Sequence, residues 1–491
     1  MPRSLLGLLA VCLPLAATAQ GEESWDAVYI GGSKVGYQHV RLEPVKDAQG
    51  KPLVRVRVDW ALELKRGNDT AKMKLMYGTI EDGEGRVKKL DTLTYGAQER
   101  IQTSGEVVGG VMRLTTKGGG NSATAQVPWG DDVRGPYGSE MSLARQPLGV
   151  GESRTVKTYI PDLNKVCLTT MKATAVETIE LGRGTMRELL RVEQTVAGTD
   201  GKPIKGMVST LWVDKGGQIM KSKTDLAGGM LTYRTTEAGA KAANGGGFDL
   251  LASSFVKVAR PISSSETSRQ GKYRITFADD DAAEVFPADR RQTLVAGLNK
   301  GTATLTVVVD TPDSGAPGPA SVGQEYLLPN PLINSDDPLV ARHMRAAVAD
   351  LVDPWEKAKS IQAWVSQNLK KKNFSTAFAS AQEVARDLSG DCTENGVLVA
   401  AMCRAAGIPA RCVIGLVYVE DRGGFGPHMW NEVYVNRRWV ALDAAFNQSA
   451  VDATHLKLSE TSLAGVGPFE AMLPAIRVFG DRVAIEPIQV R

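Results

Sequence analysis

Ser389-Gly390-Asp391-Cys392-Thr393-Glu394-Asn395 is the stretch from which the rest of the chain is read. Gly390 and Asp391 make a tight, cappable entry to a helix. Leu398, Ala401, Met402 and Ala405 follow at i, i+3, i+4 and i+7 until Gly407 and Pro409 end it. Cys392 therefore falls in the first turn. There the open backbone N–H groups and the positive dipole end favour both a thiolate and a developing oxyanion. A cysteine at a helix start is by itself an ordinary structural residue, so its partners decide the matter.

His428 opens the run His-Met-Trp-Asn-Glu-Val-Tyr-Val, whose alternation puts His428, Trp430, Glu432 and Tyr434 on one face of a strand. The next strand spans Arg438 to Leu442 and leads into Asp443. If Asn436-Arg437 is a two-residue hairpin turn, Val435 pairs with Arg438 and Trp430 lies opposite Asp443. His428 and Asp443 are then diagonal neighbours on one face, about 7 Å apart at the backbone, within reach of a carboxylate–imidazole hydrogen bond. A loop of odd length would put them on opposite faces. The roles follow: Cys392 as nucleophile, His428 as general base and acid, Asp443 as the group that orients the ring. Trp430 is a candidate substrate contact, with core packing as the competing reading.

Four segments in this order, Gly-Asp-Cys-Thr-Glu-Asn, Ala-Gly-Ile-Pro-Ala-Arg, Gly-Phe-Gly-Pro-His-Met-Trp-Asn-Glu-Val-Tyr-Val and Arg-Trp-Val-Ala-Leu-Asp, together with Asp452-Ala453-Thr454-His455, resemble the bacterial branch of the transglutaminase-like superfamily. The resemblance covers about residues 337–458. It implies a papain-like α+β core and a Cys-His-Asp triad carried by Cys392, His428 and Asp443. Asn395 departs from the histidine that related bacterial sequences often carry. The superfamily includes transglutaminases, proteases, deamidases, peptide N-glycanases and inactive members. The resemblance thus implies the first chemical step and leaves the acceptor open. The expectation is an exported cysteine enzyme acting on amide bonds of a protein or peptide through a thioester. Hydrolysis is favoured over crosslinking because water needs no second binding site. The alternative is a non-catalytic binding protein that uses the core as a scaffold.

The remaining sequence sets a multidomain α+β frame, since 491 residues exceed what one core holds. Residues 1–19 have the form of a secretory signal: Arg3, an apolar run from Leu5 to Leu15, and Ala17-Thr18-Ala19 before Gln20. Cys12 could suggest a lipid anchor, but Val11 is large for the position before a lipidated cysteine. The expected location is secreted or periplasmic, with no integral membrane segment after cleavage. Residues 22–238 read as a large antiparallel β-rich domain, clearest at Val54–Leu64, with turns at Gly31-Gly32, Asp82-Gly83 and Gly216-Gly217. The segments Tyr77–Leu90 and Ser209–Lys223 share a strand–turn–strand pattern. A linker over 239–249 leads to a small sandwich-like β region over 250–330. The catalytic domain spans 335–460, opening with helices at Asp336-Asp337-Pro338 and Asp353-Pro354 and a short helix from Ala381, and a strand-rich tail covers 461–491.

Net charge is +3, and no basic stripe is interleaved with aromatics, so nucleic acid is not an expected partner. Lys370-Lys371-Lys372 closes a helix, where cations suit the dipole. Beyond the signal the cysteines are Cys167, Cys392, Cys403 and Cys412, too few for a disulfide scaffold. The latter two flank a Gly-Ile-Pro turn and read as buried small hydrophobes. The four histidines, His39, His343, His428 and His455, have no zinc spacing, and no calcium loop is evident, so neither metal nor cofactor is expected. His455 reads as a structural hydrogen-bonding residue.

Overall fold

The computed structural model describes residues 21–95, 100–118, 120–181, 184–225, 229–243, 248–278, 280–314, 316–370, 378–465, 468–479 and 482–491. The expected signal segment, Lys371, Lys372 and the glycine-rich stretch 244–247 lie outside these residues.

Long alternating strands fill the N-terminal half. They join one fifteen-stranded sheet whose order is a double meander. Eight strands, from Glu22–Ile30 to Asn121–Pro128, step outward in one direction. Seven more, from Val133–Arg134 to Met230–Thr235, step back to pair the last strand with the first, from Trp25↔Thr235 to Ile30↔Met230. The turn glycines do what their positions demand: Gly31 and Gly32 both hold positive φ, +56° and +77°, which closes the first hairpin. Only the four residues 129–132 separate the two edge strands in sequence, so the sheet curls until its ends approach each other. Both halves line a partly open cavity of about 280 Å³. Its wall is polar: Arg234 donates to Asp26 at 2.8 Å, Tyr77 donates to Asp162 at 2.7 Å, and Ser139 donates to Glu140 at 2.7 Å. Burial holds all three carboxyls above the usual carboxylate range.

The small β region is built differently from a free-standing sandwich. Gln270–Phe277, Gln292–Ala296 and Thr302–Val308 form a four-stranded sheet completed by Val483–Val490 from the tail. Its buried Tyr273, Ile275 and Leu305 belong to the same hydrophobic cluster as Leu398, Met402 and Leu416 of the following domain. Of the expected linker, residues 239–241 belong to the short helix Glu237–Lys241, and Asp249 caps the turn Leu250–Ser253.

The helices over Pro338–Val348, Pro354–Asn368 and Ala381–Asp387 start where the capping residues Asp337, Asp353 and Ser380 place them. They surround the helix Cys392–Ala405. The reverse side of that helix rests on the sheet containing Ala410–Val419, Gly424–Val435, Arg438–Leu442 and Leu456–Thr461. The whole is therefore α+β, a large β-rich N-terminal region followed by a mixed helical and sheet domain. Among the described residues no helix is long and apolar enough to cross a membrane.

The raised carboxyls have a definite sign. A folded-state pKa above the unfolded value means protons are released on unfolding, so each such group costs increasing stability as pH rises above about 4. Glu140→Gln should therefore raise the melting temperature more at pH 8 than at pH 5. Equal shifts at the two pH values would place the Glu140 carboxyl in the ordinary range.

Candidate active site

The site helix begins as the sequence predicts, with Asp391 as N-cap and Cys392 as its first residue. Asp391 Oδ1 accepts the Thr393 N–H at 2.9 Å and the Thr393 hydroxyl at 2.7 Å. Glu394 answers from the third helical position, accepting the Asp391 N–H at 2.9 Å and the Ala379 N–H at 3.1 Å. Burial, with the neighbouring Asp391 charge, holds the Glu394 carboxyl well above the usual carboxylate range. Gly390 sits at φ +154°, and a Cβ there would meet the Glu394 side chain at 2.3 Å, so only glycine admits this capping arrangement. The Cys392 N–H is one of the first-turn donors that a helix leaves open. Cys392 is half-buried, whereas Cys167, Cys403 and Cys412 are buried free thiols. Burial pushes Cys403 and Cys412 up to about 12, which keeps them protonated and inert.

The sequence stripe marks one face of this helix, but the structure buries it on all sides from Thr393 to Arg404. Arg404 is accommodated because its guanidinium donates to the carbonyls of Leu328, Ala410 and Ser462. The helix meets the strand Gly424–Val435 at Gly396. A Cβ there would lie 3.0 Å from Met429, and Asn431 Nδ2 donates to the Gly396 carbonyl at 2.8 Å.

His428 and Asp443 come together through the two-residue turn. Asn436 and Arg437 have φ of +50° and +60°, Val435 pairs with Arg438, and Asn431 pairs with Leu442. Continued one step, that register sets Trp430 across from Asp443. His428 Nε2 donates to Asp443 Oδ2 at 2.6 Å, with both side chains almost fully buried. The other carboxylate oxygen, Oδ1, accepts the N–H groups of Ala445 and Phe446 at 2.7 and 3.2 Å. With Nε2 committed to Asp443, Nδ1 is the ring nitrogen left for Cys392, whose side chain acts on the His428 ring. Burial pulls the His428 pKa down, but the Asp443 charge and hydrogen bond, with the Cys392 side chain, outweigh it and raise the ring to about 9. Burial would raise Asp443, yet the His428 and His455 rings hold its carboxyl far below the usual range.

Two neighbours were not assigned to the site by sequence reasoning. His455, whose sequence reading is structural, donates from Nε2 to the same Asp443 Oδ2 at 3.0 Å. Arg66, the last residue of the strand Pro52–Arg66 before the turn into Asp69–Glu81, donates to Asp391 Oδ2 at 2.7 Å. The N-terminal sheet thus touches the residue just before Cys392. Trp430 is 1% exposed and packs with Val413, Ala441 and Val451, so its indole backs the His428 ring instead of facing a groove. His39 stacks on Trp25, and His343 lies against Trp364, both apart from this cluster. The separations of 2.6 and 3.0 Å between Asp443 Oδ2 and the two rings are hydrogen-bond distances, too short for two ligands spread around a cation.

Residues 341–444 match the model of the transglutaminase-like superfamily, a span that contains Cys392, His428 and Asp443. This part of the chain is a transglutaminase-like domain. No curated protein matches the chain in sequence. Among solved structures, a candidate cysteine protease from Cytophaga hutchinsonii is 15% identical over 46% of this chain and 87% of its own, with a TM-score of 0.28. A candidate protease from Parabacteroides distasonis is 11% identical over 74% of this chain and 68% of its own, with a TM-score of 0.20. A β-barrel-like protein from Brucella abortus, of a domain family of unknown function, is 12% identical over 43% of this chain and 96% of its own, with a TM-score of 0.31. These likenesses are distant, and the domain assignment rests on the superfamily match.

Two substitutions probe the geometry. The stabilising contribution of Asp443 is present above its unfolded pKa near 4 and is lost only in strong acid. That of His428 is full below about 6.5 and is lost as pH rises through about 9. Asp443→Asn should therefore cost most between about pH 4 and 6.5, roughly 3–5 kcal/mol, and markedly less at pH 10, read from urea midpoints across pH. Gly396→Val should destabilise by roughly 1–3 kcal/mol by wedging the helix from its strand, and should slow alkylation of Cys392. Unchanged alkylation in a destabilised but folded variant would show that this contact does not set the thiol's position.

Proposed function

We propose that the protein is an exported transglutaminase-like cysteine enzyme that opens amide bonds of a protein or peptide through a thioester on Cys392, with water as the favoured acceptor. The observation that carries this reading is the buried 2.6 Å hydrogen bond from His428 Nε2 to Asp443, which leaves Nδ1 of the same ring available to the half-buried thiol at a helix N-terminus.

The steps follow from the atoms present. Cys392 Sγ attacks the amide carbon while His428 Nδ1 holds the proton taken from the thiol. Charge on the carbonyl oxygen develops beside the Cys392 N–H and the helix N-terminus. His428 then gives its proton to the leaving nitrogen, the C–N bond breaks, and the acyl group remains as a thioester. Water attacks this ester, His428 takes a proton from it, and the thiol regains a proton as the carboxylic acid leaves. An amine in place of water would complete a transglutaminase cycle with the same residues. Asp443 fixes the ring orientation throughout.

The direct test is alkylation. Iodoacetate should label Cys392 rapidly while the neighbouring ring is charged, with the rate falling above about pH 9 as His428 loses its proton. His428→Ala should slow labelling by at least roughly 100-fold. Equal rates in the two proteins would overturn the catalytic reading in favour of a binding scaffold. A glutamine-containing peptide supplied with a primary amine then separates the acceptors: backbone cleavage or ammonia release for hydrolysis, amine incorporation for crosslinking.

A further inference from the structure

The Cys392, His428 and Asp443 set leaves one buried titratable residue of the same cluster without a role. His455 is wholly buried, and both of its ring nitrogens face carboxylates: Nε2 lies 3.0 Å from Asp443 Oδ2 and Nδ1 lies 3.1 Å from Asp452 Oδ1. A neutral imidazole has one N–H and one bare lone pair. In this setting the bare nitrogen would point at a carboxylate oxygen with no proton between them, an unfavourable contact inside a low-dielectric site. Only the doubly protonated ring satisfies both contacts.

We infer that His455 is a permanent imidazolium that acts as a positioning residue, fastening Asp443 and offsetting its negative charge so that the His428 proton remains transferable. The inference rests on the reading of Cys392, His428 and Asp443 as the reacting set.

The surroundings fit this role. Asp452 is itself held: its Oδ1 accepts the Thr454 N–H at 2.7 Å and the Thr454 hydroxyl at 2.6 Å, and its Oδ2 accepts from Gln448 Nε2 at 2.7 Å. The Asp443 backbone exchanges hydrogen bonds with Gln448 at 2.8 and 2.7 Å, which ties both carboxylates to one loop. Burial works against charge on His455, and the hydrogen bonds and charges of Asp443 and Asp452 outweigh it. The charged and titratable groups around the cluster are Cys392, His428, Asp443, Asp452, Arg291 and Tyr273. Arg291 donates to the Val451 and Asp452 carbonyls, and Tyr273 donates to the Ala453 carbonyl. The remaining ring walls, Trp430 and Phe446, are uncharged.

The physical consequence concerns His428. An Asp443 carboxylate bonded to His428 alone would hold the ring proton tightly, which makes a poor acid for the leaving nitrogen. A second cation on the same Oδ2 oxygen, with its ring centroid 5.5 Å from that of His428, weakens that hold by charge repulsion.

Two measurements on the full chain test this. With only four histidines, nitrogen-15 labelling of the imidazoles resolves each ring. His455 should show two protonated nitrogens from pH 6 to 9, while His428 titrates. A bare nitrogen on His455 at pH 7 would overturn the inference, and this spectrum needs no variant. His455→Gln keeps a neutral N–H donor for Asp443 and removes the charge. In that variant the alkaline limb of Cys392 labelling by iodoacetate should move up by roughly one to two pH units. A purely structural His455 would lower the melting temperature and leave the limb in place, which would also overturn the inference. If labelling in the wild-type chain does not depend on His428, the reading of the reacting set fails, and the nitrogen spectrum still decides the charge on His455.

Discussion

The contact between Gly396 and the strand Gly424–Val435 is the constraint on which the site depends. Cys392 and His428 sit on different elements, a helix and a strand, and their separation is set by how closely those elements approach. The missing side chain at Gly396 lets the helix backbone come down onto Met429, and Asn431 locks the approach with a hydrogen bond to the Gly396 carbonyl. One turn toward the N-terminus lies Cys392, and one residue before Met429 lies His428. The thiol and the ring are therefore brought together by backbone packing and not by their own attraction. The capping box around Asp391 and Glu394 then fixes how the first turn is aimed.

Much of this was legible in the sequence because it is local. The N-cap, the apolar spacing and the Gly-Ile-Pro stop placed Cys392 in a first turn, and period-two alternation with a two-residue turn put His428 and Asp443 on one face. The long hairpins of the N-terminal region announced themselves by turn glycines and alternation. What escaped was non-local. No periodicity links Arg66 to Asp391, which are 325 positions apart in the chain. His455 lies beyond an irregular loop, so no strand register could bring it to Asp443, although its motif had been noted. Trp430 shares the His428 face, which admits a groove contact as well as core packing; depth behind His428 is not a quantity that alternation reports. The shared core of the small sheet and the site domain was equally invisible, since a β pattern does not state which face it will cover.

The N-terminal sheet contributes more than bulk. Its Arg66 neutralises the outer oxygen of the residue that caps the site helix, while the neighbouring Gly67 N–H is held by both oxygens of Asp249 at 3.1 Å. The turn is thus tied at two points to segments that lead into the site domain. Elsewhere the same sheet lines a polar cavity whose carboxyls resist ionisation. That pattern fits an interior arranged around satisfied hydrogen bonds, in contrast to the apolar cluster that supports the site helix.

The closing strand Val483–Val490 carries a consequence for biosynthesis. Its partner is Gln270–Phe277, with Gly271 facing Val490 and Phe277 facing Val483, and its buried Val483 and Ile485 join the same cluster as the site helix. During translation Cys392, His428 and Asp443 all emerge before that strand exists, so the nascent chain holds its thiol on an incomplete support. The sheet can close only when this strand threads back to one made more than two hundred residues earlier, a slow, high-contact-order event. Full support for the reactive cluster therefore waits until Val483–Val490 has emerged and paired.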